Sequence, residues 1–252
     1  RGVLDVLQNG FADHGVHFKM AYFPPNSGMN EETHRLYEAN ILSVMRQVHY
    51  SELDPELSLD TVIFLNGLPI FTVELKNQLT GQTVKNAIQQ YRTDRDPKES
   101  LFAFKRCLAH FAVDADQAYM TTKLAGLRTF FLPFNKGYGN GAGNPPNDRG
   151  YKTAYLWEDV WTKMSILELV GKFITLQKER ITDSRGREIV KETLLFPRYH
   201  QRDTVQRLVE DAREHGVGHA YLIQHSAGSG KSNTIGWTAH RLSELYGADD
   251  HK

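Results

Sequence analysis

Residues 59–91, LDTVIFLNGLPIFTVELKNQLTGQTVKNAIQQY, restrict the fold more than any other part of the chain. Residues 59–65 are rich in branched and aromatic apolar side chains and read as a strand. Asn66-Gly67 supplies the positive backbone angles of a hairpin turn. Residues 70–75 read as the return strand. Pro69 is tolerated only near its start, because proline has no amide to donate to a ladder. Beyond it, Val84, Ala87, Ile88 and Tyr91 recur at helical spacing, so residues 82–91 read as an amphipathic helix lying on the sheet, with Tyr91 expected near Lys76.

The hairpin carries two acids and a lysine whose faces depend on register. Glu74 and Lys76 are two apart on one strand and point to the same side of the sheet. Asp60 joins them only if it pairs opposite Glu74, which leaves a three-residue loop. A two-residue loop turns Asp60 to the other face, because a one-residue slip exchanges the faces of a whole strand. A three- or five-residue loop, or a bulge, is therefore predicted. With the acids on one face, two carboxylates and a backbone carbonyl, that of Leu75, suit Mg2+, which prefers hard oxygen ligands and keeps several waters. Such an ion lowers the pKa of a bound water and offsets charge on an attacked phosphate, while Lys76 orients the water or stabilises the developing anion. Looser Asp/Glu-x-Lys triplets also occur at Asp96-Pro97-Lys98 and Asp250-His251-Lys252. Only Glu74-Leu75-Lys76, with Asp60, has apolar strand on both sides of its acids.

Asp60, Glu74-Leu75-Lys76 and Gln90-Tyr91 together resemble the PD-(D/E)xK nuclease signature. The wider text VELKNQLTGQTVKNAIQQYRTDRDP, and LPFNKGYGNGAGNP followed by YLWEDV, resembles the endonuclease and motor subunit (the R subunit) of type I restriction enzymes, through nearly the whole chain. That resemblance implies an α/β fold: a mixed, restriction-endonuclease-like sheet flanked by helices over residues 1–190. It implies Mg2+-dependent cleavage of double-stranded DNA, with Asp60, Glu74, Lys76 and Tyr91 catalytic and the metal on Asp60 and Glu74. It also implies ATP as fuel and the methylase and specificity subunits as partners. One departure matters. Where the family places Gln-x-x-x-Tyr, this chain has Ala87 four residues before Tyr91, and Gln89 and Gln90 are differently placed. The alternative left open is a helicase or translocase whose N-terminal domain binds DNA or a subunit without cutting it.

Composition sets outer bounds. Thirty basic and thirty acidic residues balance among 252. A dedicated nucleic-acid binder is usually basic overall, so DNA contact falls to a local groove or to partners. No run reaches the ~18 apolar residues of a membrane span. The single Cys107 excludes an intrachain disulfide framework, disfavours structural zinc and fits a cytoplasmic setting. The eleven histidines lack ligand spacing. Arg1 and Lys252 read as the ends of a piece of a longer protein.

Before the hairpin, residues 23–28 read as a loop, residues 30–36 as the approach to a short helix and residues 40–50 as a strand. Glu38 is a candidate further acid, read in the first instance as solvated. After Tyr91, Arg92, Arg95, Lys98, Lys105 and Arg106 form a basic zone that could meet phosphates. Residues 108–114, 117–122 and 129–134 read as strands. The Gly- and Asn-rich residues 135–150 read as a long surface loop, open to DNA or a partner. Residues 157–177 read as a helix and residues 182–192 as a polar linker.

The C-terminal part, residues 191–252, reads as the beginning of a RecA-like P-loop domain. A helix ends near Gly216, residues 220–224 read as a buried strand, and His225-Ser226-Ala227-Gly228-Ser229-Gly230-Lys231-Ser232 leads into a helix running to about residue 246. Backbone amides and a helix N-terminus of this kind bind phosphates. Ala227, Gly228, Ser229 and Gly230 would form the cradle. Lys231 would reach the β- and γ-phosphates and Ser232 would ligate Mg2+. The loop resembles that of superfamily 2 helicases, which relax the glycine position held by His225, and Gln201 matches their adenine-reading glutamine. No acidic Walker B strand follows in the remaining residues, so ATP hydrolysis is expected of the parent protein.

Overall fold

The computed structural model describes residues 2–24, 30–139, 141–182, 186–216 and 218–245. The chain opens with α1 (Val3–Asn9) and a small hairpin, β1 (Phe11–Asp13) and β2 (Val16–Phe18). Part of the loop expected at 23–28 lies outside the described residues, as do the helix end expected near 246 and the triplet at 250–252. Asn30 caps α2 (Glu31–Glu38) by accepting the Thr33 amide, which satisfies one of the orphan donors of its first turn.

The main sheet has six strands in the order β3 (Leu42–His49), β4 (Ser58–Leu65), β5 (Leu68–Leu75), β6 (Ala109–Val113), β7 (Ala118–Thr121) and β8 (Leu132–Pro133). Neighbours are antiparallel except β5 and β6, which run parallel and are joined across one face by α3 (Val84–Thr93). A parallel pair requires such a crossover. The chain is thus α/β, with a mixed sheet flanked by helices.

The sheet is covered on both sides. Phe71, Val73, Phe111 and Val113 point into the larger core, with Leu169, Val170, Phe173, Val205 and Trp237. Val62 and Ala112 point the other way, against Val84, Ala87, Tyr91, Phe102 and Phe131. The periodicity of α3 is therefore its buried stripe, as its sequence predicts.

Three expectations need correction. Residues 157–177 do not form one helix. A π-helical turn (Leu156–Val160) is followed by α4 (Lys163–Glu168) and a second π-helical turn (Leu169–Phe173). Thr162 interrupts the run by capping α4 with its side chain, and Gly171 admits Phe23, whose ring carbon a Cβ there would approach to 2.7 Å. Residues 182–192 are expected as a linker, but those of them described at 182 and 188–192 belong to an antiparallel hairpin, β9 (Thr175–Thr182) and β10 (Glu188–Leu195), in register from Ile181 opposite Ile189 to Thr175 opposite Leu195. Both its faces are largely exposed, so it has polar composition without being irregular. Residues 220–224 follow α5 (Tyr199–His215) as exposed chain, with no strand formed and Leu222 96% exposed. A buried strand needs ladder partners on its edges, and the described residues supply none here. The last element is α6 (Lys231–Leu242).

Candidate functional site: a carboxylate pair at the end of the hairpin

The turn between β4 and β5 has the two residues Asn66 and Gly67, both left-handed, with φ of 50° and 81°. Leu65 pairs with Leu68 and Phe64 with Pro69, a register that by itself would turn Asp60 away from Glu74. The register then shifts between Ile63 and Phe64, and Ile63 pairs with Phe71. Ile70 is the extra residue of a bulge, and Ile70 and Phe71 both enter the larger core. From there Thr61 lies opposite Val73, and the next position sets Asp60 opposite Glu74. The bulge predicted from parity is present, on a turn of two residues.

The two acids meet at the end of the hairpin. One Asp60 oxygen accepts the Leu75 amide at 2.7 Å. The Glu74 carboxyl, fully buried, stands beside that of Asp60. Its Oε1 accepts Nε of Arg95 at 2.7 Å and lies 2.6 Å from Nη2 as an ion pair. Its Oε2 is buried with no hydrogen-bond partner. Burial pushes the Glu74 carboxyl up, Arg95 opposes that, and the Asp60 carboxylate raises it further, to about 7. Lys76 continues the β5 ladder through its amide to the Val113 carbonyl (2.8 Å), and its side chain is half-buried.

Behind the acids the floor is neutral. Thr72, on the same face of β5 as Glu74, bonds the Tyr91 hydroxyl at 2.8 Å and His110 Nδ1 at 2.7 Å. Burial lowers His110 to about 3, so its imidazole is uncharged, and it raises the Tyr91 hydroxyl well above its ordinary value. Tyr91 is therefore not beside the lysine, as its spacing predicts. Its partner Thr72 lies four residues before Lys76, about 13 Å back along the strand. Ala87 is fully buried in the helix interface, and Oε1 of Gln90 is buried without a partner.

A third acid at this end of the sheet is already engaged. Asp114 follows β6 and accepts the amide of Val84 at the start of α3 (2.7 Å), and with its other oxygen those of Asp116 and Gln117. Among the described residues no group of three or more His, Cys, Asp or Glu gathers for a metal ion. What the site offers is two carboxylates with one unpartnered buried oxygen, next to the Leu75 backbone. That set fits a hard cation that keeps most of its waters and does not fit a fully protein-caged one.

Arg95 is the residue that sequence reasoning misplaced. It reads as a surface cation open to phosphate, yet its side chain is only 4% exposed. Two others of the same zone are also engaged: Arg92 donates to the Thr129 carbonyl and Lys105 pairs with Glu192. Arg95 is two residues past the end of α3, where periodicity carries no signal. Glu38 pairs with Lys163 and contributes nothing to the acid pair. The long loop is pinned by buried Asn144, which accepts the Lys136 amide and donates to the Asp116 carbonyl and to Asn135.

In the C-terminal part, Gly230 is left-handed and opens α6. Gln201 donates to its carbonyl at 2.9 Å and accepts the Arg198 amide at 2.8 Å. Lys231 folds back onto the carbonyls of His225 and Ser226, at 3.1 and 3.0 Å. Ser229 is buried with an unpartnered hydroxyl.

A mixed α/β sheet with an acid pair on neighbouring strands and a lysine two residues beyond is consistent with a nuclease-like fold. Residues 26–129, which hold β3 to β7 and every member of that site, match the family described as type I restriction enzyme R protein N terminus. Over that stretch, less than half of the chain, the protein is similar to the N-terminal region of an R subunit. No curated protein matches the chain. No helix among the described residues is long and apolar enough to cross a membrane.

Proposed function

We propose that residues up to about 190 are the nuclease domain of a type I restriction enzyme R subunit, hydrolysing DNA phosphodiesters with Mg2+. The observation that supports this most is the convergence of Asp60 and Glu74 from adjacent strands, with one buried Glu74 oxygen left unpartnered. Asp60, Glu74 and the Leu75 carbonyl would hold the ion. When bound, Mg2+ supplies an acidified water and offsets phosphate charge. Lys76, at the mouth of the pair, holds the scissile phosphate and stabilises negative charge as it develops. The Thr72–Tyr91–His110 floor excludes water behind the acids and keeps them from relaxing inward.

The parent is expected to couple this cleavage to ATP-driven translocation on double-stranded DNA, together with methylase and specificity subunits. Residues 191–252 would open its first RecA-like lobe. Ala227, Gly228, Ser229 and Gly230 would cradle phosphates, Lys231 would release its two carbonyls to reach them, Ser232 would ligate the nucleotide's Mg2+, and Gln201 would sense the base.

The test is Mg2+-dependent DNA cleavage by the assembled enzyme carrying Asp60→Ala, Glu74→Ala or Lys76→Ala. Each variant should lose cleavage while ATP hydrolysis persists. Cleavage that survives all three would leave the second reading, a module that grips DNA without cutting it. Lys231→Ala should show the reverse pattern and lose ATP hydrolysis.

A further inference from the structure

Arg95 reaches the acid pair from outside every regular element. Its guanidinium is held at three points. Nε donates to Oε1 of Glu74, with Nη2 in ion-pair contact with the same oxygen, Nη2 donates to the Ser58 carbonyl at 2.9 Å, and Nη1 donates to the Tyr50 hydroxyl at 3.0 Å. Ser58 begins β4, two residues before Asp60, and Glu74 is the last residue but one of β5. One side chain therefore ties the strand of the first acid to the carboxyl of the second. It occupies one oxygen of Glu74 only, and the other is the unpartnered buried atom.

A contribution to stability does not account for this arrangement. A buried ion pair is weak as a stabiliser, and apolar side chains of similar volume often serve as well. Val62, Ala112 and Leu59 already build an apolar cluster on this side of the sheet, surroundings that suit a further aliphatic residue. What the pair supplies that an aliphatic residue cannot is a carboxylate with a fixed rotamer. The rigid fork of arginine suits that task, whereas a lysine presents a single mobile point charge.

We propose that Arg95 is the positioning residue of the acid pair: by gripping Oε1 of Glu74 from the backbone of β4, it presents Oε2, together with Asp60, to a divalent cation. This rests on the reading of Asp60 and Glu74 as a metal site. Arg95 touches neither the cation nor the phosphate. It acts only through Glu74.

The experiment is Mn2+ binding to the whole chain, followed by electron paramagnetic resonance with Mg2+ in competition, and it requires no cleavage. Partners that orient a metal ligand typically contribute 10- to 100-fold in affinity, so Arg95→Met should weaken Mn2+ by about that factor. Arg95→Lys keeps the charge beside Glu74, and so the fold, but cannot span Glu74, Ser58 and Tyr50 together. It should also bind Mn2+ about tenfold more weakly. If Arg95→Met does not fold, Arg95→Lys decides the matter, and wild-type affinity in that variant overturns the inference. Asp60→Asn and Glu74→Gln separate the two levels. If both lose Mn2+ while the Arg95 variants retain it, the metal site stands and the positioning role falls. If the unaltered chain binds no Mn2+, the metal site falls and the role of Arg95 falls with it.

Discussion

Glu74 shows how far a single residue can depart from the reading its neighbours invite. In sequence it is an acid two positions from a lysine, and its spacing alone puts it on a particular face. Its burial, its guanidinium partner and its raised pKa all come from segments far away in the chain. Those properties predict a pH signature. The folded carboxyl titrates near 7 and the unfolded one near its ordinary value, so the native state binds more protons between them. Stability should be greatest below about pH 4.5 for this group and fall as pH rises through 7, by on the order of 3 kcal/mol. Urea unfolding across that range checks it, and Glu74→Gln should flatten the slope. A wild-type chain that gains stability across this window, with the same gain in Glu74→Gln, would contradict the assignment. Arg95 was illegible for the converse reason. Arginines near a helix end are commonly solvated, and nothing local says that this one turns inward.

At the scale of the elements, the hairpin was largely legible. Alternation, the Asn-Gly turn and the two acids together required a change of parity, and the bulge at Ile70 supplies it. Gly67 makes that turn possible at a φ of 81°, with nothing within 4 Å of the position a Cβ would take. Gly67→Ala should therefore cost only the backbone term, about 1–2 kcal/mol, measured as a shift in the urea midpoint at unchanged slope. A larger loss would mean that the turn also governs the register. Less legible were elements whose order depends on distant partners. Residues 188–192 are polar because their hairpin is exposed on both faces, and composition cannot distinguish that from a linker. Residues 220–224 are apolar enough for a strand and find no ladder. The helical run at 157–177 breaks where Thr162 caps, a competition that periodicity does not register.

For the whole molecule, the important fact is a shared interior. Phe196, Tyr199, Val205, Val209 and Trp237 enter the same core as Phe71 and Phe111 of the sheet. The Trp237 indole donates to the Phe173 carbonyl at 2.8 Å, and around it Arg241 pairs with Glu168 and Lys172 with Glu244. Trp237→Ala should lower stability by about 3–5 kcal/mol. Near- and far-ultraviolet circular dichroism should still report one common unfolding transition. Two separated transitions in the unaltered chain would show that α5 and α6 are independent of the sheet. The same packing bears on how force would travel. The glycine-rich turn at 228–230 begins the helix whose tryptophan is seated on Phe173, and between that helix and the sheet lies stacked apolar matter instead of slack tether. A shove given at one end would be handed on to the other through that packing.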